Sequence, residues 1–328
     1  MYPDEPMAEA MRAALEPHAR KLKKRLRKAG RGDPDGIHGA RTTIRRLREG
    51  LVAMGRTVFE PDCVAALEDG LQGLQRSLGP ARDDDVLLDD VRRWMKRASR
   101  ARRSAMAPLE KRLRRRRRKH ARALADDLSR KRERGAVKAV RSFLRGRPRA
   151  VLPPPKNPAH AVPTLVRHFI ADETWRAYEE VLAFETHTAS PDFAVIHKVR
   201  SACRRLRYLL ELFEGAVPPG TAEVADALRK LQDRLGDLHD HVVAVGLLEQ
   251  WIAEGRIPVN DATNEYLKHR RRTRDRMRAE FDEEWRRLTG PAFRHAIAII
   301  ASGEMRSRPD GSVRLVGASS RAGNSPGV

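Results

Sequence analysis

The chain has 328 residues, with 67 Lys and Arg against 44 Asp and Glu, so its formal charge is +23 at pH 7 and its pI is near 11.0. No run approaches the roughly 20 apolar residues of a membrane span, the opening MYPDEPMAEAM is acidic where a secretory leader is basic and then apolar, and Cys63 and Cys203 are too few for a disulfide framework or a four-thiolate zinc site. The expectation is a soluble, cytoplasmic protein with a polyanionic partner; 54 of the 67 cations are Arg, whose guanidinium forks match phosphate oxygens two at a time.

Leu, Ala, Arg and Glu dominate, and apolar residues recur at three- and four-residue spacing. That pattern predicts helix almost throughout, with Pro and Gly as punctuation. Four helical stretches are expected first, at about 7–29, 37–54, 62–79 and 85–145, the last one broken. Residues 146–163, GRPRAVLPPPKNPAHAVP, hold six prolines and read as a stiff extended linker. Four more stretches are expected at about 163–186, 195–215, 221–256 and 260–301. The tail from 306 to 328 is small, polar and Gly/Ser-rich and reads as disordered. The expected domains are therefore 1–145 and 164–305, two helical bundles.

The two halves repeat. Ile37-His38-Gly39-Ala40-Arg41 opens the first copy of IHxxRxxxRRLR, which ends at Arg48; Ile196-His197 opens the second, 159 residues later, which ends at Arg207. Leu74-Gln75-x-x-Leu78-Gly79-x-x-Arg82-Asp83 then matches Leu231-Gln232-x-x-Leu235-Gly236-x-x-His239-Asp240 at an offset of 157. A weaker match pairs Leu124-x-Asp126-Asp127-Leu128 with Phe281-x-Glu283-Glu284-Trp285 at the same offset. Three matches in one order indicate a duplicated unit.

On a helix turning about 100° per residue, Arg41, Arg45 and Arg48 fall within roughly 80° of His38. Ile37, Ala40, Ile44, Leu47 and Leu51 fill the neighbouring sector, and Arg46 points elsewhere. His197, Arg200, Arg204 and Arg207 form the same stripe beside Ile196, Val199, Cys203, Leu206 and Leu210. A cationic ridge beside a core ridge would line a groove, one cation per turn, at a spacing suited to a phosphate chain. The simpler alternative is an amphipathic helix whose Arg stems cover the core edge. Duplication of the ridge favours binding.

These paired motifs resemble the CHAD family, the conserved-histidine α-helical domain. The resemblance spans the chain except its tail. It implies an all-α fold of two four-helix bundles related by pseudo-twofold symmetry, with inorganic polyphosphate bound in a central basic channel. It also implies association with polyphosphate granules, as in some members. Carried over by motif, the implied ligands are His38, Arg41, Arg45, Arg48, His197, Arg200, Arg204 and Arg207. Arg82 departs from the pattern, standing where the second copy has His239. A cation survives there, but a titratable role does not.

Arg82 shares a face with Leu71, Leu74 and Leu78, and His239 with Leu228, Leu231 and Leu235. Such a cation faces a ligand groove or pairs internally with Asp83 or Asp240. In the basic run 112–119, Arg116 and Arg117 lie nearest the Leu113–His120 face. Their counterparts fall among Arg270, Arg271, Arg272 and Arg274, of which Arg271 and Arg274 are the candidates. His239-Asp240-His241 does not share one helical face, and no metal or cofactor is expected. Trp94, Trp175, Trp251, Trp285 and both cysteines read as packing residues.

Three functions compete. The first is a non-enzymatic polyphosphate-binding module whose affinity falls with salt. The second is non-specific nucleic-acid binding, supported by charge but disfavoured by an aromatic content of 5%. The third is a metal-dependent phosphohydrolase, which needs carboxylates that the repeated motifs do not supply.

Overall fold

The computed structural model describes residues 2–145, 163–187, 193–218 and 220–302. Apart from a short 3-10 turn at 185–187 and one isolated backbone bridge, its regular structure is α-helical. The first five helices are α1 (Met7–Gly30), α2 (Pro34–Val58), α3 (Pro61–Arg97), α4 (Arg100–Ser129) and α5 (Lys131–Leu144). The next five are α6 (Arg167–Leu182), α7 (Phe193–Leu212), α8 (Thr221–Ala253), α9 (Asp261–Thr289) and α10 (Pro291–Ser302).

The helix starts follow local chemistry. The chain leaves α1 through Gly32 at φ 74°, a left-handed turn that favours glycine. Asp33 Oδ2 then accepts from Gly36 N at 3.0 Å, capping α2, and Pro34 sits at its first turn, where a missing N–H costs nothing. Asn260 and Thr263 make a reciprocal capping box on α9.

Three expected boundaries move. The break between 79 and 85 does not occur: α3 runs straight through Gly79-Pro80. Leu71, Leu74 and Leu78 before the proline, and Ala81, Leu87, Leu88 and Val91 after it, are all buried, and that burial outweighs the lost backbone bond. The expected 85–145 stretch instead breaks at Ala98-Ser99 and Arg130. The expected 260–301 helix divides at Gly290, with Pro291 opening α10. The proline-rich stretch 146–163, apart from its last residue, and the tail 306–328 lie outside the described residues.

The same packing pattern occurs twice. α1 packs on α2, α2 on α3, α3 on α4, and α5 covers α1 and α3; α6 packs on α7, α7 on α8, α8 on α9, and α10 covers α6 and α8. Between the two sets, α2 meets α7, α3 meets α8 and α4 meets α9. A backbone strap joins the beginnings: Met7 N donates to Thr164 O at 2.8 Å, and Val166 N to Glu5 O at 3.0 Å. The core follows these cross-contacts and draws on both sets of helices. One large cluster includes Leu22, Ile44, Leu47, Leu206 and Leu235. A second joins Leu88, Val91 and Leu109 of α3 and α4 to Leu248, Trp251 and Tyr266 of α8 and α9.

Candidate functional site

α2 and α7 cross antiparallel. Glu49 on α2 meets Arg204 and Arg205 on α7, whereas Arg46, earlier on α2, meets Tyr208 and Glu211, later on α7. Arg45 and Arg204, equivalent in the repeat, therefore come together at the crossing. His38 and Arg41 approach it along α2; Arg200 and His197 lead away along α7. At 1.5 Å per residue, each arm from histidine to central arginine is roughly 10 Å long.

Burial of the apolar ridge fixes this register. Ile37, Ile44 and Leu47 on α2, and Val199, Cys203 and Leu206 on α7, are fully buried. Arg41, Arg45, Arg200 and Arg204 occupy the next sector and are only partly covered. His38 and His197 lie further out, exposed.

The cluster is electrostatically strained. Burial, then the charges of Arg204, Arg200 and Arg41, bring the Arg45 pKa down to about 10. Its Nε is buried without a hydrogen-bond partner among the described residues. Burial also lowers Arg41, on which Asp83, Arg82, Asp240 and Arg204 act in turn, and Arg200, on which Arg204, Asp240 and Arg41 act. Groups of α2, α3, α7 and α8 thus share one space. Partial desolvation first, then Arg82 and Arg45 for His38, and His239 and Arg200 for His197, hold both rings below the usual histidine value. Burial and Arg200 do the same to His239, whose ring lies 5.3 Å from that of His197.

The remaining sequence-selected residues lie in other settings. Arg48 Nη1 donates to Gln75 Oε1 at 3.2 Å, and Arg207 Nε to Gln232 Oε1 at 3.0 Å. Arg48 also pairs with Glu68 at 3.4 Å, and Arg207 with Glu211 at 2.7 Å. These two arginines, the ends of both motifs, lock α2 to α3 and α7 to α8. Arg116 and Arg117 pair with Asp84 and Asp85 of α3, at 2.7 and 2.8 Å. Arg271 pairs with Glu249 at 2.5 Å, and Arg274 with Asp275 at 2.8 Å. The structure thus brings His38, Arg41, Arg45, Arg82, His197, Arg200, Arg204 and His239 into one field and gives the other six internal partners.

Sequence reasoning passed over several residues of this site. Glu49 carries a carboxylate into the crossing, 3.3 Å from Arg204 Nε. Gly79 and Gly236 provide room: a Cβ there would lie 3.3 Å from Arg41 Nη1 and 2.9 Å from Arg200 Nη2. The LQxxLG motif is therefore explained. Its Gln receives the last Arg of the neighbouring motif, and its Gly seats the first. The repeated spacing of the two motifs was the available signal.

Trp251 and Trp285 are buried, and Trp94 and Trp175 pack against the core clusters. Cys203 is buried, which pushes its thiol up to about 12 and leaves it unreactive. Among the described residues, no group of three or more His, Cys, Asp or Glu could hold a metal ion, and no helix is long and apolar enough to cross a membrane.

A repeated five-helix pattern with a shared cationic crossing defines a class of all-helical proteins. A family model described as the CHAD domain matches residues 6–249. The chain belongs to the CHAD family. The crystal structure of the CHAD domain from the plant Ricinus communis is similar in fold, with a TM-score of 0.64 at 21% identity over 93% of this chain and 96% of that one. PptA from Streptomyces chartreusis is similar with a TM-score of 0.62 at 18% identity, over 86% of this chain and 100% of that one. None of the curated proteins matches the chain.

Proposed function

We propose that the protein binds inorganic polyphosphate, without chemistry on it, in a basic channel at the crossing of α2 and α7. The observation that carries this reading is the Arg45–Arg204 centre. Two arginines from distant parts of the chain are held together half-buried, with Arg41 and Arg200 beside them, and Arg45 is driven down to about 10 by burial and by cations. A polyanion threaded past them relieves this repulsion and receives charge-assisted hydrogen bonds. Polyphosphate suits the arrangement because its charges repeat along an unbranched chain and it brings no base to stack. Membership of the CHAD family supports the same ligand. Within this reading, Arg41, Arg45, Arg200 and Arg204 hold phosphates at the centre, and His38, Arg82, His197 and His239 hold them along the two arms. Arg48 and Arg207 position the helices, whereas Arg116, Arg117, Arg271 and Arg274 supply only peripheral charge.

The test is competitive binding near 0.15 M salt, where loose surface charge is screened. Long-chain polyphosphate is expected to bind at least tenfold tighter than duplex DNA or single-stranded RNA at matched phosphate concentration. Arg45→Ala with Arg204→Ala is expected to weaken it roughly 100-fold, about 1.5 kcal/mol for each charged hydrogen bond. Arg46→Ala with Arg205→Ala, off the ridge, is expected to change it less than threefold. Equal competition by nucleic acids would make the protein a charge-driven nucleic-acid binder instead.

A further inference from the structure

A groove of about 890 Å³ lies between α1 and α5, with no described residue of α2 or α7 in its lining. Its size is that of a ligand site. The floor is apolar: Leu26 and Leu74 are buried, and Leu128 and Val137 pack on the large core cluster. Both banks are cationic. Lys23 and Arg27 stand one turn apart on α1. Across from them, Arg134, Lys138, Arg141 and Arg145 step along α5 at intervals of four, three and four residues, one cation per turn. Among the described residues, Glu133 is the one carboxylate in the lining.

We propose that this groove docks an acidic amphipathic helix of a partner protein. An apolar floor between two basic banks is the complement of a helix with an apolar face and acidic flanks on both sides. The α5 bank extends roughly 16 Å at helical rise. A single lipid headgroup engages one or two of its cations, whereas a helix places an acid against each. A bare phosphate chain has no use for the apolar floor.

The chain's own segments carry the wrong sign. Residues 146–162, which follow α5, contain Arg147, Arg149 and Lys156 and no acid; residues 303–328 contain four Arg against Glu304 and Asp310. The basic bank also has no counterpart in the second half of the chain. At the 157-residue offset α10 has Pro291, His295, Ala298 and Ser302 in place of the four α5 cations, yet it packs on α6 and α8 as α5 does on α1 and α3.

The test uses the full chain near 0.15 M salt and a labelled 18-residue helix-forming peptide with a Leu face and Glu flanks, followed by fluorescence anisotropy. This peptide is expected to bind at least tenfold tighter than its Lys-flanked version and than a version with Ser in place of Leu. Val137→Glu, in the floor, and the exposed Lys138→Glu are each expected to weaken it at least tenfold, with helicity unchanged by circular dichroism. Arg45→Ala with Arg204→Ala is expected to leave it intact. Equal binding of the Ser-faced peptide reduces the groove to surface charge and overturns the proposal. So does loss of binding in the Arg45/Arg204 variant. Displacement of the peptide by dodecyl phosphate, sensitive to Val137→Glu, would make the groove a lipid site instead.

Discussion

The regions around α2 and α7 share a motif residue for residue, yet they hold their central arginines differently. Arg204 leans on Glu49 at 3.3 Å, across the crossing. Arg45 has no carboxylate among the main charges acting on it and keeps a buried, unpartnered Nε. On the neighbouring helices, Arg82 of α3 faces the site where α8 offers His239. The packing residues vary in size, Ala40 against Val199 and Ile44 against Cys203, yet all four are fully buried. The cations of the two ridges are copied position for position, and the difference lies in the groups around them: Glu49 stands beside Arg204, and Arg82 stands where the other side has His239. The comparison teaches that packing sets the position of the ridge, while individual charges set the character of each arm.

The strongest way to break the comparison is through the core. Leu47 and Leu206 are equivalent and fully buried. Leu47→Ala and Leu206→Ala are each expected to destabilise by about 2–5 kcal/mol, a cavity cost. Denaturant unfolding should give the two similar losses; a large difference would mean that the halves do not share one packing scheme.

A smaller effect separates the two glycines. Gly236→Ala drives a Cβ to 2.9 Å from Arg200 Nη2, whereas Gly79→Ala leaves 3.3 Å to Arg41 Nη1. Both changes replace a mid-helix glycine and are expected to raise stability by about 0.5–1 kcal/mol. Polyphosphate affinity is expected to fall about tenfold for Gly236→Ala, one misplaced charged hydrogen bond, and less than threefold for Gly79→Ala. Calorimetry of unfolding and of binding on the same samples reads both signs.

The smallest effect concerns pH. His18 and His241 are lowered by burial, and by Arg46 and Arg270 respectively, to about 4, and His38, His197 and His239 are also lowered. A histidine that is harder to protonate when folded costs stability once the unfolded chain takes up its proton. Stability of the unliganded protein is therefore expected to fall as pH drops below about 6.5, with the loss complete only below about 4. On the proposed binding, polyphosphate is expected to reverse the shift of the histidines beside it, so binding should take up protons and tighten several-fold toward acid. His239→Arg gives the second arm the residue of the first and is expected to flatten that dependence, measured by titration between pH 5 and 8.

The sequence made the helices and the ridge legible because both depend on local periodicity. Register on α2 and α7 follows from Ile37, Ile44 and Leu47 and their counterparts, and any correct fold buries those. Less legible were features set by distant partners. Gly79-Pro80 looks like a helix end until Leu87, Leu88 and Val91 are found buried beyond it. Arg116 and Arg117 look like ridge residues until Asp84 and Asp85 are placed opposite them. Arg48 completes a wheel with Arg45, yet Gln75 and Glu68 claim it. A wheel gives direction from one axis. It cannot say whether an acid, a glutamine or open space stands in that direction.

The strap at Pro6 and Leu165 bears on how such a molecule reaches its native state. It closes a loop of roughly 160 residues, at a chain-entropy cost of about 4.5 kcal/mol before other contacts help. Few short backbone contacts could carry that cost alone. The α2–α7 crossing closes a loop of nearly the same length, so the strap and the crossing share one closure cost. The same crossing gathers like charges, which slow their own approach. A polyanion present during synthesis would screen that approach, and the ligand would then act as a chaperone of the fold that holds it.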